Sequence, residues 1–325
     1  MLDIVGKRGW YFLFSAIIMV IALVSLIMPP GWSTLNSGLN PGIDFTSGSV
    51  LDVTFSEPIN QNLVYDEMKY LGHPEALVQT TGDNSVIIRT KVLKESEGSN
   101  ESERQSIQRH LEKSISPIDS LAFDSISPII ARETIRNALF AMLAASAFIL
   151  LYIWYAFRRA PKAYRYGISA IIALVHDTII ILGLFSILGK TIGMEVNATF
   201  IIGILTVAGY SVNDTIVVFD RIRENVIRHP EREFGSLVNT SIIETVGRSL
   251  NTSLTTLVVL LALLLIGGDS IRGLILVVAA GVIVGTYSSI FIASQFLVIW
   301  DRKEFRSIFQ LRRNRTEPST SNASS

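Results

Sequence analysis

Six long apolar runs leave this chain few ways to fold. They span Trp10–Met28, Ile135–Phe157, Tyr166–Leu188, Val196–Phe219, Ser249–Ile266 and Leu274–Trp300. Each has roughly the 20 residues a helix needs to cross the hydrocarbon of a bilayer. Composition agrees, with 49% hydrophobic residues and a mean hydropathy of +0.43. The expected fold class is an α-helical polytopic membrane protein with six transmembrane helices.

The first run follows Lys7 and Arg8 and ends in Pro29-Pro30-Gly31-Trp32. No Ala-x-Ala-like site follows it, so it is read as a retained signal anchor. Basic residues cluster in alternate connections: Arg158, Arg159, Lys162 and Arg165 after run two; Arg221, Arg223, Arg228 and Arg232 after run four; Arg302, Lys303, Arg306, Arg312, Arg313 and Arg315 after run six. The opposite connections carry only Lys190 and Glu195, or Asp269 and Arg272. Six crossings put every basic cluster on one side, which the positive-inside rule makes cytoplasmic. Both termini are expected there.

Residues 31–131, between runs one and two, are soluble in character and fall on the outer side. Strands are predicted at Ser49–Phe55, Ala76–Thr80, Ser85–Thr90 and Ser120–Ile126, and helices at Asn60–Leu71 and Glu103–Lys113, with a polar loop over Lys94–Glu103. The order βαββαβ fits a small split-βαβ, ferredoxin-like α+β domain. The chain then divides into 1–30 (cytoplasmic N-terminus and first span), 31–131 (outer domain), 132–300 (spans two to six) and 301–325. That last segment is basic, and its tail after Arg315, Ser/Thr/Asn-rich, is expected to be disordered in the cytoplasm. Gly235–Arg248 is expected to form an amphipathic surface helix ahead of span five.

Two intramembrane constellations stand out. Asn213 and Asp214 lie in span four, Asp214 six residues before Asp220 and so roughly 9 Å inside the helix end. A carboxylate at that depth costs roughly 2.5–3.5 kcal/mol on insertion scales. It is either an interfacial carboxylate paired with a base or a group that loads and releases a proton. Arg248, at the start of span five, is the expected charge partner, unless it is only a topological anchor. Thr215 beside Asp214, and Asn251, Ser253 and Thr256 on span five, supply a polar lining that suits a helix interface or a wetted path. His176 and Asp177, near the middle of span three, either extend that path or fix packing by interhelical hydrogen bonds. Gly203, Gly209, Gly281 and Gly285 are expected to be close-packing positions.

Other chemistries find no support. The chain has no cysteine and four scattered histidines, so disulfides, thiolate chemistry and a histidine metal centre are not expected. No nucleotide-binding loop, Ser/His/Asp arrangement or metal-ligand spacing occurs. No cofactor, nucleic-acid partner or enzymatic centre is expected, and any work is expected to draw on an ion gradient.

These residues carry a resemblance. GYSVNDTIVVFDRIREN at Gly209–Asn225 resembles the signature of the SecF family, whose members pair with SecD in bacterial protein export. Gly42, Asp44, Phe45 and Gly48 lie in a stretch similar to the family's Gly-x-Asp-Phe motif, and Leu174–Asp177 and Gly247–Ser253 match further family segments. Ser47 departs from the pattern, which commonly has a second glycine. The resemblance implies half of an RND-like bundle in a bacterial inner membrane, with residues 31–131 periplasmic. It implies SecD as obligate partner, with the SecYEG channel, YajC, YidC and a translocating preprotein as further partners. It assigns Asp214 the role of protonatable carboxylate and Arg248 that of its partner, with protons driving late translocation. The alternatives are an assembly subunit that only holds SecD, and an RND-type small-molecule exporter.

Overall fold

The computed structural model describes residues 3–28, 38–94, 102–158, 160 and 162–301, with the side chains of 269 and 270 excepted. The expected Pro29-Pro30-Gly31-Trp32 stop, Arg159, most of the Lys94–Glu103 loop and the basic tail from Arg302 lie outside the described residues.

Six helices are long and apolar enough to cross a membrane: Arg8–Ile27 (α1), Pro128–Ala156 (α5), Tyr164–Ile192 (α6), Ala198–Arg228 (α7), Phe234–Ile266 (α8) and a last span over Ile271–Asp301. Most outrun the apolar sequence, because hydropathy marks only the stretch that needs lipid. Beyond it, α7 continues on ion pairs one turn apart: Arg223–Asp220 at 2.7 Å, Arg228–Glu224 at 2.7 Å and Arg221–Glu224 at 2.6 Å. α6 stops at Gly193, whose φ of +70° is the left-handed cap that glycine adopts without strain.

Two expectations change here. Gly235–Arg248 is not a separate surface helix but the first four turns of α8. Its apolar face, Val238 and Ile242, packs with Val218, Phe219, Ile222, Leu297 and Val298 in the core of the bundle. An apolar helix face has the same pattern whether it meets lipid or protein. The last span is also not one α-helix. Asp269–Ser288 (α9) passes through a π-helical turn at Ser289–Ala293 into Ser294–Asp301 (α10). Such turns insert one residue and rotate the faces on either side.

The chain separates into two compact units. The first holds residues 1–40, 141–194 and 199–325, and its core gathers Phe157, Tyr166, Ala173, Val212, Phe219, Ile290 and Leu297. The second holds residues 41–140 and 195–198. In it, Gly48–Phe55 (β1), Leu77–Thr80 (β2), Ser85–Thr90 (β3) and Ile118–Ile126 (β4) form a sheet of order β2-β3-β1-β4. All three pairings are antiparallel, the arrangement of a split-βαβ domain. The helices Gln61–Tyr70 (α3) and Glu103–Ser114 (α4) bury Val64, Met68, Ile107 and Leu111 against Leu51, Val53, Phe55, Val86 and Ile88. Leu63, beside the buried Val64, is 44% exposed.

One turn, Ile43–Thr46 (α2), was not legible as a helix and leads into the most strained residue of this unit. Ser47 has φ +62° and ψ 165°, a region essentially reserved for glycine. Ser47→Gly is therefore expected to stabilise this unit by about 1 kcal/mol, net of glycine's greater unfolded freedom. Hydrogen-exchange protection of the β1 and β3 amides in the full chain measures it, and unchanged or weaker protection would count against the strain.

Candidate functional site: two carboxylates in the helix bundle

α7 brings Asp214 into the bundle because small residues let the last span approach it. Gly203 meets Val277, Gly281 meets Val207 and Gly285 meets Ser211, and a Cβ at any of these glycines would overlap its neighbour. Gly209, expected to be a fourth such position, has nothing near it. Asp214 is 7% exposed, and its Oδ2 is buried with no hydrogen-bond partner. Ser249 of α8 faces it, its own Oγ likewise buried and closing no hydrogen bond in this geometry.

The expected Asp214–Arg248 ion pair is not formed. Arg248 is exposed, and among the described residues no ion pair joins it to Asp214. The reason is azimuth: consecutive residues stand about 100° apart on a helix, so turning Ser249 inward turns Arg248 out. Asn213 and Asn251 are also exposed and do not line the buried carboxylate. Thr256 is half-buried and bonds back to Thr252 O at 2.9 Å. Ser253 and Thr215 do join the interior. Ser253 Oγ meets Thr286 Oγ1 at 2.5 Å and accepts from Tyr210 OH at 3.3 Å; Thr215 Oγ1 meets Ser289 Oγ at 2.7 Å.

The better-connected carboxylate is Asp177. It is fully buried, and its Oδ1 lies 2.9 Å from Nδ1 of His176. Its Oδ2 accepts from Ser211 Oγ of α7 at 2.7 Å and from Ser288 Oγ of the last span at 2.8 Å. Nε2 of His176 meets Ser15 Oγ of α1 at 2.5 Å. Helices α1, α6, α7 and α9 thus converge on one His–Asp pair. Residues Ser15, Ser211 and Ser288 were not singled out in the sequence, because serines in apolar helices carry no signal of which face they occupy.

In the second unit the glycine motif is a built turn. Gly42 N donates to Val196 O at 2.7 Å, and Asp44 Oδ2 accepts from Ala198 N, the first residue of α7, at 2.7 Å. Gly48, at φ +132°, has no room for a side chain because Thr90 O would lie 2.7 Å from its Cβ. Phe45 N closes the turn onto Gly42 O at 3.0 Å. Arg89 forms an ion pair with Glu195 here, and burial pushes its guanidinium below its ordinary range. Among the described residues no cluster of His, Asp or Glu has the geometry of a metal site.

Residues 105–303 match the family model of the SecD/SecF protein export membrane protein C-terminal region, and residues 32–59 match that of the SecD/SecF GG motif. The chain is similar to the protein translocase subunit SecF of Thermobaculum terrenum, 39% identical over 98% of both chains. It is also similar to that of Anaerolinea thermophila, 36% identical over 95% of this chain and 97% of that one. In structure it resembles the crystal structure of SecDF, a translocon-associated membrane protein from Thermus thermophilus. There the TM-score is 0.77 at 30% identity, covering 93% of this chain and 39% of that one.

Proposed function

The chain belongs to the SecF family of protein translocase subunits, and from that premise we propose that it acts with SecD to couple proton movement to late preprotein export. The observation that carries this is the buried, unpartnered Oδ2 of Asp214. An ionised carboxylate inside a bundle needs donors or a cation to balance it, and among the described residues no donor meets Asp214 Oδ2 and no cation is paired with Asp214. A proton, or a group brought by another subunit, supplies it instead.

In this reading the subunit binds along the exposed side of α8. Arg248, Asn251, Thr252 and Thr255 are exposed at a spacing of three to four residues, a polar stripe on a membrane-spanning helix. Such a stripe is costly against lipid but suits a neighbouring helix. SecD is the partner that covers it, and an acidic residue of SecD is the counter-charge for Arg248. Loading and unloading Asp214 then biases two arrangements of spans four and five, a protonation-driven two-state element. In this scheme the termini lie in the cytoplasm, the chain crosses a bacterial inner membrane, and residues 31–131 work in the periplasm. The other partners are the SecYEG channel, YajC, YidC and the emerging preprotein.

The test is a late-translocation assay on vesicles carrying the SecD complex. Collapsing the proton gradient with an ionophore is expected to remove the stimulation that this subunit provides. Undiminished stimulation after collapse would overturn the coupling.

A further inference from the structure

We propose that the His176–Asp177 pair is a second proton-binding site inside the bundle, separate from Asp214, which gains and loses one proton as the Ser15 hydroxyl reverses. The geometry accommodates both states without leaving a polar atom of the pair unsatisfied. In one, both ring nitrogens carry protons: Nδ1 donates to Asp177 Oδ1 and Nε2 donates to Ser15 Oγ, and the pair is neutral overall. In that state Ser15 donates its own proton to a carbonyl of α1, as serines in helices do. In the other, Nε2 is bare and accepts from Ser15, Nδ1 still donates to Asp177, and the pair carries one negative charge. Ser211 and Ser288 donate to Oδ2 in both states, so they hold the carboxylate while the proton comes and goes.

A fixed structural pair would be expected to have a cation committing it to one state. Among the described residues no lysine or arginine is paired with it. α1 presents Ser15, α7 presents Ser211, and the last span presents Ser288. The nearest ionisable groups along those helices are Tyr11, Tyr210, Asp214 and Tyr287. Tyr287 OH is committed to Tyr11 O at 2.9 Å and Tyr210 OH to Ser253 at 3.3 Å. On α6 itself, Lys190 is committed to Ser25 O. The remaining neighbour in charge is Asp214, about one turn along α7 from Ser211. Two negative charges at that spacing inside a bundle repel, so a proton on either site makes it easier for the other to lose its own. Because the pair ties four helices through hydroxyls, its charge state acts on the packing of α1, α6, α7 and the last span together.

The experiment reads the imidazole of His176 directly by nitrogen NMR in the full chain, assembled with SecD in lipid. Val175-His176 is the only Val–His step in the sequence, so carbonyl-labelled valine with nitrogen-labelled histidine assigns that residue without a mutation. Across a pH series the ring is expected to show both states, two protonated nitrogens and one. Ser15→Ala, which deletes the reversible hydroxyl at Nε2, is expected to change the balance between the two states. In Asp214→Asn the titration is expected to persist, which separates this site from the fate of the Asp214 proposal. A ring held in one protonation state across the whole range would overturn it, and so would a titration that vanishes with Asp214.

Discussion

Asp214→Asn is expected to leave the chain folded and bound to SecD while abolishing the proton-driven part of late export. The substitution keeps shape and volume and exchanges a group that titrates for one that does not. Its cost to the fold is small, because Oδ2 has no hydrogen-bond partner to lose; a near-isosteric change of that kind costs about 1 kcal/mol or less. Export stimulation is expected to fall to that of vesicles lacking the subunit, whereas ionophore treatment of the variant adds nothing further. Co-purification with SecD separates this outcome from a purely structural role. If Asp214→Asn no longer retains SecD, the carboxylate is an assembly contact. If the variant exports normally and still responds to the proton gradient, the coupling site is elsewhere.

How much of this was legible follows from what sequence encodes. Apolar length is a physical requirement of lipid, so the six spans and their order could be read directly, and the two-residue period of strands exposed the βαββαβ order of residues 31–131. Position along the helix axis was legible too: counting residues back from Asp220 put Asp214 roughly 9 Å inside the helix end. Rotation about the helix axis was not. Ser249 and Arg248 are neighbours in sequence, but the packing of α8 turns one inward and the other out. The same limit concealed the environment of His176 and Asp177. Their positions were visible, but the three serines that complete the cluster sit on three other helices, and only tertiary packing sets which way they face. Glycine shows the limit most plainly. Gly209 and Gly281 are equally suggestive in sequence, yet a side chain at Gly209 meets open space and one at Gly281 meets Val207.

That contrast yields the largest structural effect expected. Helix association in membranes rests on close van der Waals approach, since lipid offers apolar side chains as much comfort as protein does. Gly281→Leu places a branched side chain where α9 already touches Val207 of α7, and no rotamer avoids it because the clash begins at Cβ. The two helices must separate, which pulls Ser288 away from Asp177 and Ser289 away from Thr215. Overpacking alone costs about 1–3 kcal/mol, and leaving a buried carboxylate short of a donor adds about 1–3 kcal/mol more. The sum is a large fraction of a typical domain's stability, so the chain is expected to lose its thermal transition or to be degraded in cells. Gly209→Leu, on the same pair of spans and of identical chemistry, is expected to shift the transition by far less. Gly281→Ala is the graded case: the atoms nearest its single methyl all belong to Val207, so Val207→Ala in the same chain is expected to restore much of the loss. A double variant no more stable than Gly281→Ala alone would mean that the glycine serves something other than the approach of α7 and α9.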